Sequence, residues 1–97
     1  MRFEIELTDE AVADFEAMKA SWRVAVKDAI EVHLRHEPKK VSRSRIKRLR
    51  ELSKPQFRLR VEDIRVFYDV EEGTVTVHAI VLKSEAASWL AQFGESK

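Results

Sequence analysis

An α+β fold in the order β-α-α-β-β-β-α is predicted by three observations: strict apolar/charged alternation over residues 3–7, helical periodicity from Ala11 to Leu34, and a return to period two from Phe57 to Leu82. A helical hairpin then packs on one small, mostly antiparallel sheet. With 97 residues, the chain is expected to form one domain spanning residues 1–97.

In "RFEIELT" the apolar Phe3, Ile5 and Leu7 alternate with Arg2, Glu4 and Glu6, the pattern of a half-buried strand. Thr8 follows as an N-cap, with Asp9 and Glu10 placed where carboxylates favour the positive end of a helix. Ala11, Phe15, Met18 and Trp22 then mark one apolar stripe. A second helical pattern, Val26, Ile30 and Leu34, begins around Ser21 to Arg23 and stops by Glu37, because Pro38 disfavours helical geometry before it. The two helices are expected to be antiparallel, with little connecting loop.

Three strands follow the basic segment. Phe57, Leu59 and Val61 alternate with Arg58 and Arg60; Ile64, Val66, Tyr68 and Val70 form the second strand, and Thr74 to Leu82 the third. Glu62-Asp63 and Glu71-Glu72-Gly73 are the short connections of an antiparallel meander. Apolar residues on both faces of Ala79 to Leu82 place the third strand inside the sheet. Ser84 caps a final short helix with Ala86, Trp89, Leu90 and Phe93 on its apolar face, and Gly94 stands at its C-terminal cap.

The net charge of +1 conceals an uneven distribution. Residues 1–37 carry five basic and nine acidic side chains, residues 38–65 eleven basic and three acidic, and residues 66–97 two basic and five acidic. A basic centre between two acidic flanks is the electrostatic footprint of a polyanion binder. No cysteine is present, no apolar run is long enough to span a bilayer, and the N-terminus does not read as a leader, so a cytoplasmic protein without thiolate chemistry is expected.

No Gly-rich phosphate loop, Walker pattern or suitably spaced acidic pair is present. His33 and His36 stand at i and i+3 without a third ligand nearby, so no metal and no other cofactor is expected. His78, at the parity of Thr76 and Ile80, is the one imidazole on the sheet and hence its ready acid or base. Arg58 and Arg60 share the face opposite Phe57, Leu59 and Val61, and Arg65 follows on the next strand. With Lys39, Lys40, Arg43, Arg45, Lys47, Arg48 and Arg50 they define a cationic surface suited to phosphates, with Glu62, Asp63, Asp69 and Glu71 as the competing ion-pair partners. Tyr68 reads as a core phenol with a polar tip.

This element order, with "RIKRLREL" before the meander and "RLRVEDIRVFYDV" followed by "VTVHAIVLKSEAASWL", resembles the RelE/ParE superfamily of bacterial toxins. The resemblance implies a toxin of a type II toxin-antitoxin pair, held inactive by a cognate antitoxin protein. In the RelE-like branch it implies entry into the ribosome and metal-independent mRNA cleavage, by attack of a ribose 2′-OH on the adjacent phosphate. In the ParE-like branch it implies inhibition of DNA gyrase; a toxin-like fold that only binds its antitoxin is a third alternative. Arg65 matches the family arginine that stabilises charge on the scissile phosphate, and Arg58 a position that holds the RNA backbone. The chain departs from the nuclease pattern at Gln56, where another lysine is usual, at Glu62-Asp63-Ile64, and in having no tyrosine after the last strand. Lys83 or His78 is the candidate substitute for proton transfer.

Overall fold

The computed structural model describes all of residues 1–97. Its elements are β1 (Glu4–Leu7), α1 (Asp9–Ala17), α2 (Ala20–Leu34), β2 (Ile46–Arg48), β3 (Leu52–Lys54), β4 (Phe57–Val61), β5 (Ile64–Glu71), β6 (Thr74–Leu82), α3 (Lys83–Phe93) and β7 (Glu95–Ser96). Five strands form the main sheet in the order β1-β6-β5-β4-β2, and β3 pairs with β7 in a separate two-stranded ribbon. All pairs are antiparallel except β1 with β6. No helix is long and apolar enough to cross a membrane.

The Thr8 hydroxyl caps α1 as expected, accepting the Ala11 N–H at 3.2 Å. Only Met18 and Lys19 separate α1 from α2. Helix α1 rests on β6 and β1, while α2 rests on β4, so each helix is seated on the sheet. Ala11, Val26, Ile30 and Leu34 from the helices close on Leu59, Val66, Tyr68, Val75 and Val77 from the strands. Tyr68 is fully buried there, stacked 5.4 Å from Phe57, and its hydroxyl donates to the Pro38 carbonyl at 2.6 Å.

The two meander turns are tight for different reasons. Glu72 and Gly73 both have positive φ, 43° and 82°, as a two-residue hairpin loop between Glu71 and Thr74 requires. In the other turn Glu62 takes φ 54°, a left-handed conformation that costs a residue with a Cβ about 1–2 kcal/mol.

Four features depart from the sequence reading. The basic segment contains two short strands, β2 and β3, where none was expected. A bulge between Phe67 and Tyr68 in the β5–β6 ladder matches Phe67 with Ala79 but Tyr68 with Val77, which leaves His78 as the extra residue. Ile80 therefore joins the core cluster and does not share a face with His78 as simple parity predicts. Helix α3 begins at Lys83, and its N-cap is Leu82 without a side-chain bond, in place of the expected Ser84.

The fourth departure bears most on function. Helix α3 lies across the sheet face opposite α1 and α2: the Trp89 indole lies flat on Phe67, 5.1 Å between ring centroids and 5° between planes. Phe67 and Ala79 are consequently buried on that second face. The β3–β7 ribbon anchors the end of α3, with the Ser53 hydroxyl donating to Glu95 O at 3.2 Å. The face expected to be open is covered over β5 and β6, and the cationic residues of β4 and β2 lie beside this cover.

Candidate nucleic-acid interface

Cross-strand partners share a face, so register alone assembles the cluster. Lys47 on β2 stands opposite Arg58 on β4, and Arg58 opposite Phe67 on β5. One row further along, Arg60 faces Arg65. Lys47, Arg58, Arg60 and Arg65 therefore crowd one end of the second face, next to the Phe67–Trp89 stack.

None of these four cations has a carboxylate partner. The Lys and Arg ion pairs of the molecule are Arg35–Glu31 and Lys40–Glu37, and His78 Nε2 meets Asp69, so the acids nearest the cluster do not neutralise it. Burial, followed by the neighbouring Arg65 and Arg60 charges, pulls the Arg58 guanidinium below its usual value. Burial and then Arg60 do the same to Arg65, with partial compensation from Asp63. Arg58 Nε is the one buried side-chain polar atom without a hydrogen-bond partner. A bound anion would relieve both the repulsion and the unmet donor.

Arg65 is only 7% exposed, and its Nη1 donates to Glu62 O at 2.8 Å and to Ile64 O at 3.0 Å. It thus braces the strained Glu62 turn as well as contributing charge. Lys83 lies at the same end of the sheet, exposed at the first position of α3, with its N–H bonded to Asp63 O at 2.7 Å.

His78 lies elsewhere. Its Nε2 is 2.9 Å from Asp69 Oδ2, and Asp69 is four residues along β5 from Arg65, roughly 13 Å by strand rise. Asp69 Oδ1 also accepts the Gln56 N–H at 2.7 Å, while Gln56 Oε1 accepts the Val70 N–H at 3.0 Å. Burial pushes the Asp69 carboxyl upward, but the His78 and Gln56 hydrogen bonds outweigh it and hold the group below the usual carboxylate range.

The remaining basic residues are divided among different surfaces. Exposed Lys39, Lys40 and Arg43 lie on the chain between α2 and β2, and Lys40 Nζ pairs with Glu37 at 3.7 Å. Arg45 turns toward α2, where burial and then its charge lower the His33 pKa, and its Nη1 donates to Arg60 O at 3.1 Å. Arg48 lies over the Phe57 ring at 5.0 Å, on the face opposite Lys47. Arg50 and Lys47 border a groove of about 590 Å³ whose apolar wall includes Leu52 and Leu90.

Asp69, Gln56 and the Phe67–Trp89 stack were not singled out as parts of one site from sequence. Asp69 carried a signal, as the one acidic residue inside the "IRVFYDV" strand, at the parity of Arg65 and with a single histidine on the neighbouring strand.

No family model and no curated protein sequence matches the chain. Solved structures do. The RelE-RelB complex of Pyrococcus horikoshii OT3 aligns with TM-score 0.70 and 16% identity, over 86% of this chain and 97% of that one. The toxin-antitoxin complex RelBE2 of Mycobacterium tuberculosis gives TM-score 0.70 and 21% identity, over 84% and 99%. The RelB-RelE antitoxin-toxin complex of Methanococcus jannaschii gives 0.65 and 17%, over 87% and 96%. The chain thus has the fold of the RelE-type toxins, an α+β sheet carrying helices on both faces.

Proposed function

We propose that the chain is the toxin of a type II toxin-antitoxin module, acting on translation by ribosome-associated, metal-independent mRNA cleavage. The observation that carries this reading is the cluster of Arg58, Arg60, Arg65 and Lys47, which shares one sheet face and lacks any carboxylate partner. Such a cluster suits a phosphodiester whose charge grows in the transition state, because donors already fixed in place need no reorganisation. Arg58 and Arg60 bind the RNA backbone, Lys47 and Arg50 extend the electrostatic field, and Arg65 stabilises charge at the scissile phosphate. Lys83, at the same end of the sheet, is the nearer of the two candidate proton-transfer residues. The RelB chains in the similar complexes support a cognate antitoxin as the partner.

A second reading is a toxin that binds its target without cutting RNA, with DNA gyrase as one alternative target. His78 favours it, because its imidazole is tied to Asp69 away from Arg65. The deciding experiment is controlled expression without antitoxin, with mRNA ends mapped on ribosomes and gyrase supercoiling assayed in parallel. Cleavage that disappears in Arg58→Ala supports the nuclease; growth arrest with intact mRNA supports the second reading, and no growth effect removes toxicity from both.

A further inference from the structure

The corner between β2 and β3, together with Leu90 of α3, encloses the groove of about 590 Å³. Val41, Leu49, Leu52 and Leu90 are its apolar residues, and Lys47, Arg48 and Arg50 its cations. Its walls are held by the fold itself. Leu49 N–H donates to Gln56 O at 2.8 Å and Leu52 N–H to Leu49 O at 3.2 Å, which closes the corner. Leu52 also packs on Gly94 at the end of α3, where an added Cβ would lie 3.4 Å from Leu52 Cδ1. Val41, on the chain before β2, is 55% exposed and leaves an aliphatic group at the rim.

Lys47 and Arg50 are exposed and have no carboxylate partner, whereas Arg48 is held over the Phe57 ring and Glu51 is the one acid at the groove. Lys47 also stands opposite Arg58, whose Nε is the buried donor without an acceptor. The groove is therefore continuous with the arginine cluster, and the two together suit a ligand that combines aliphatic groups with anions. A nucleic acid brings the anions only: its bases stack on aromatic planes, and no aromatic ring lines this groove. A peptide brings both, because apolar side chains seat in a groove while carboxylates accept from Lys and Arg.

We propose that the groove seats an extended segment of a partner protein in which aliphatic side chains alternate with carboxylates, the aliphatic groups against Leu49, Leu52 and Leu90 and a carboxylate on Lys47 and Arg58. The inference rests on the reading of the arginine cluster as an anion site and adds the surface by which a protein is held there. The segment and RNA compete for Arg58, but only the segment uses the leucines. Helix α3 stays docked in the complex, because Leu90 is one of the walls.

The probe is a labelled, amidated peptide alternating leucine with glutamate, titrated into the full chain by fluorescence anisotropy beside a single-stranded oligoribonucleotide. Saturable peptide binding is expected, weaker by roughly tenfold when serine replaces leucine in the peptide and abolished when lysine replaces glutamate. Leu90→Ser should weaken the peptide by a similar factor. Val41→Ser, exposed and outside every helix and strand, should act in the same direction with the fold intact. Both variants should leave oligoribonucleotide affinity unchanged, whereas Arg58→Ala should weaken both ligands. Equal binding of the leucine and serine peptides, or peptide affinity unchanged in both groove variants, overturns the proposal while RNA binding stands. Loss of oligoribonucleotide affinity in the groove variants with the peptide unaffected would give the groove to RNA and overturn it as well. Leucine-dependent peptide binding to a chain that binds no RNA upholds the groove and removes the nuclease reading.

Discussion

Arg60 and Arg65 face each other across the β4–β5 ladder with no carboxylate between them. Directly opposed like charges destabilise a sheet, and on the function proposed above the arrangement trades that stability for a preformed anion site. Arg60→Gln should raise stability by roughly 0.5 kcal/mol in urea denaturation. The same substitution should weaken binding to a single-stranded oligoribonucleotide and flatten the logarithmic salt dependence by up to about one unit. Lower stability together with unchanged RNA affinity would remove the functional reason for the pair.

Arg65 makes a different prediction, because its guanidinium holds the Glu62 and Ile64 carbonyls as well as facing the cluster. Arg65→Ala should cost about 1–3 kcal/mol by leaving a braced turn and two acceptors unmet. Loss of toxicity in that variant is therefore ambiguous. Arg58→Ala removes charge without touching the turn, and should abolish RNA binding while thermal unfolding shifts little. Lys19→Ala, which loses only a cation lying 4.6 Å from the Trp22 ring, should leave growth inhibition intact.

The fold was legible because apolar period and turn chemistry agree with burial over most of the chain. The Thr8 cap, the Glu72-Gly73 hairpin and the alternation from Phe57 to Val61 each specify their local structure before any tertiary contact is known. Strand β2 was not legible, since Ile46 is its only apolar residue and an edge strand rich in lysine and arginine resembles a solvated loop. The place of His78 was hidden by a bulge that no glycine marks, and the bulge reverses the parity of everything after it. Charge clustering correctly gathered Arg58, Arg60 and Arg65, yet proximity in sequence overstated the unity of the basic block: Arg45 and Arg48 turn away from that face.

Asp69 links stability to pH. Its folded pKa is depressed by the His78 and Gln56 hydrogen bonds, so its contribution is present above the unfolded carboxylate pKa, about 3.9, and is lost as pH falls through the folded value. Wild-type stability should decline over that acidic window. Asp69→Asn should be less stable at neutral pH and should show a smaller decline between pH 5 and pH 2, ranges set by ordinary carboxylate titration. Denaturant midpoints measured across this range check the slope; parallel curves for the two proteins would contradict the assignment.

Tyr68 ties the sheet to the segment after α2. Tyr68→Phe keeps the stacked ring but leaves the Pro38 carbonyl without its 2.6 Å donor, at a cost of about 1–3 kcal/mol. Burial also pushes the phenol well above its ordinary value, so its alkaline ultraviolet titration should coincide with unfolding. A tyrosine signal that titrates normally in the folded protein would show that the phenol is solvated.

Helix α3 supplies the last prediction, because the structure shows what holds it. Its underside meets the sheet mainly through the Trp89–Phe67 stack, and its end is fixed by the β3–β7 ribbon and by Gly94 N–H donating to Leu90 O at 2.8 Å. No residue of α3 is fully buried, whereas β5 is buried along most of its length. The helix should therefore open at lower free energy than the meander, as a unit with few interior contacts. Trp89→Ala removes the stack, whose geometry contributes about 0.5–1.5 kcal/mol beyond area burial. Amide exchange from Ala86 to Phe93 and in β3 should then accelerate, while amides of Val66, Phe67 and Tyr68 keep most of their protection. Exposure of Phe67 should add apolar surface beside Arg58, detectable as increased dye binding without global unfolding. If Trp89→Ala instead accelerates exchange uniformly through β4, β5 and β6, α3 is part of the same cooperative unit as the sheet and cannot open independently of the cationic face.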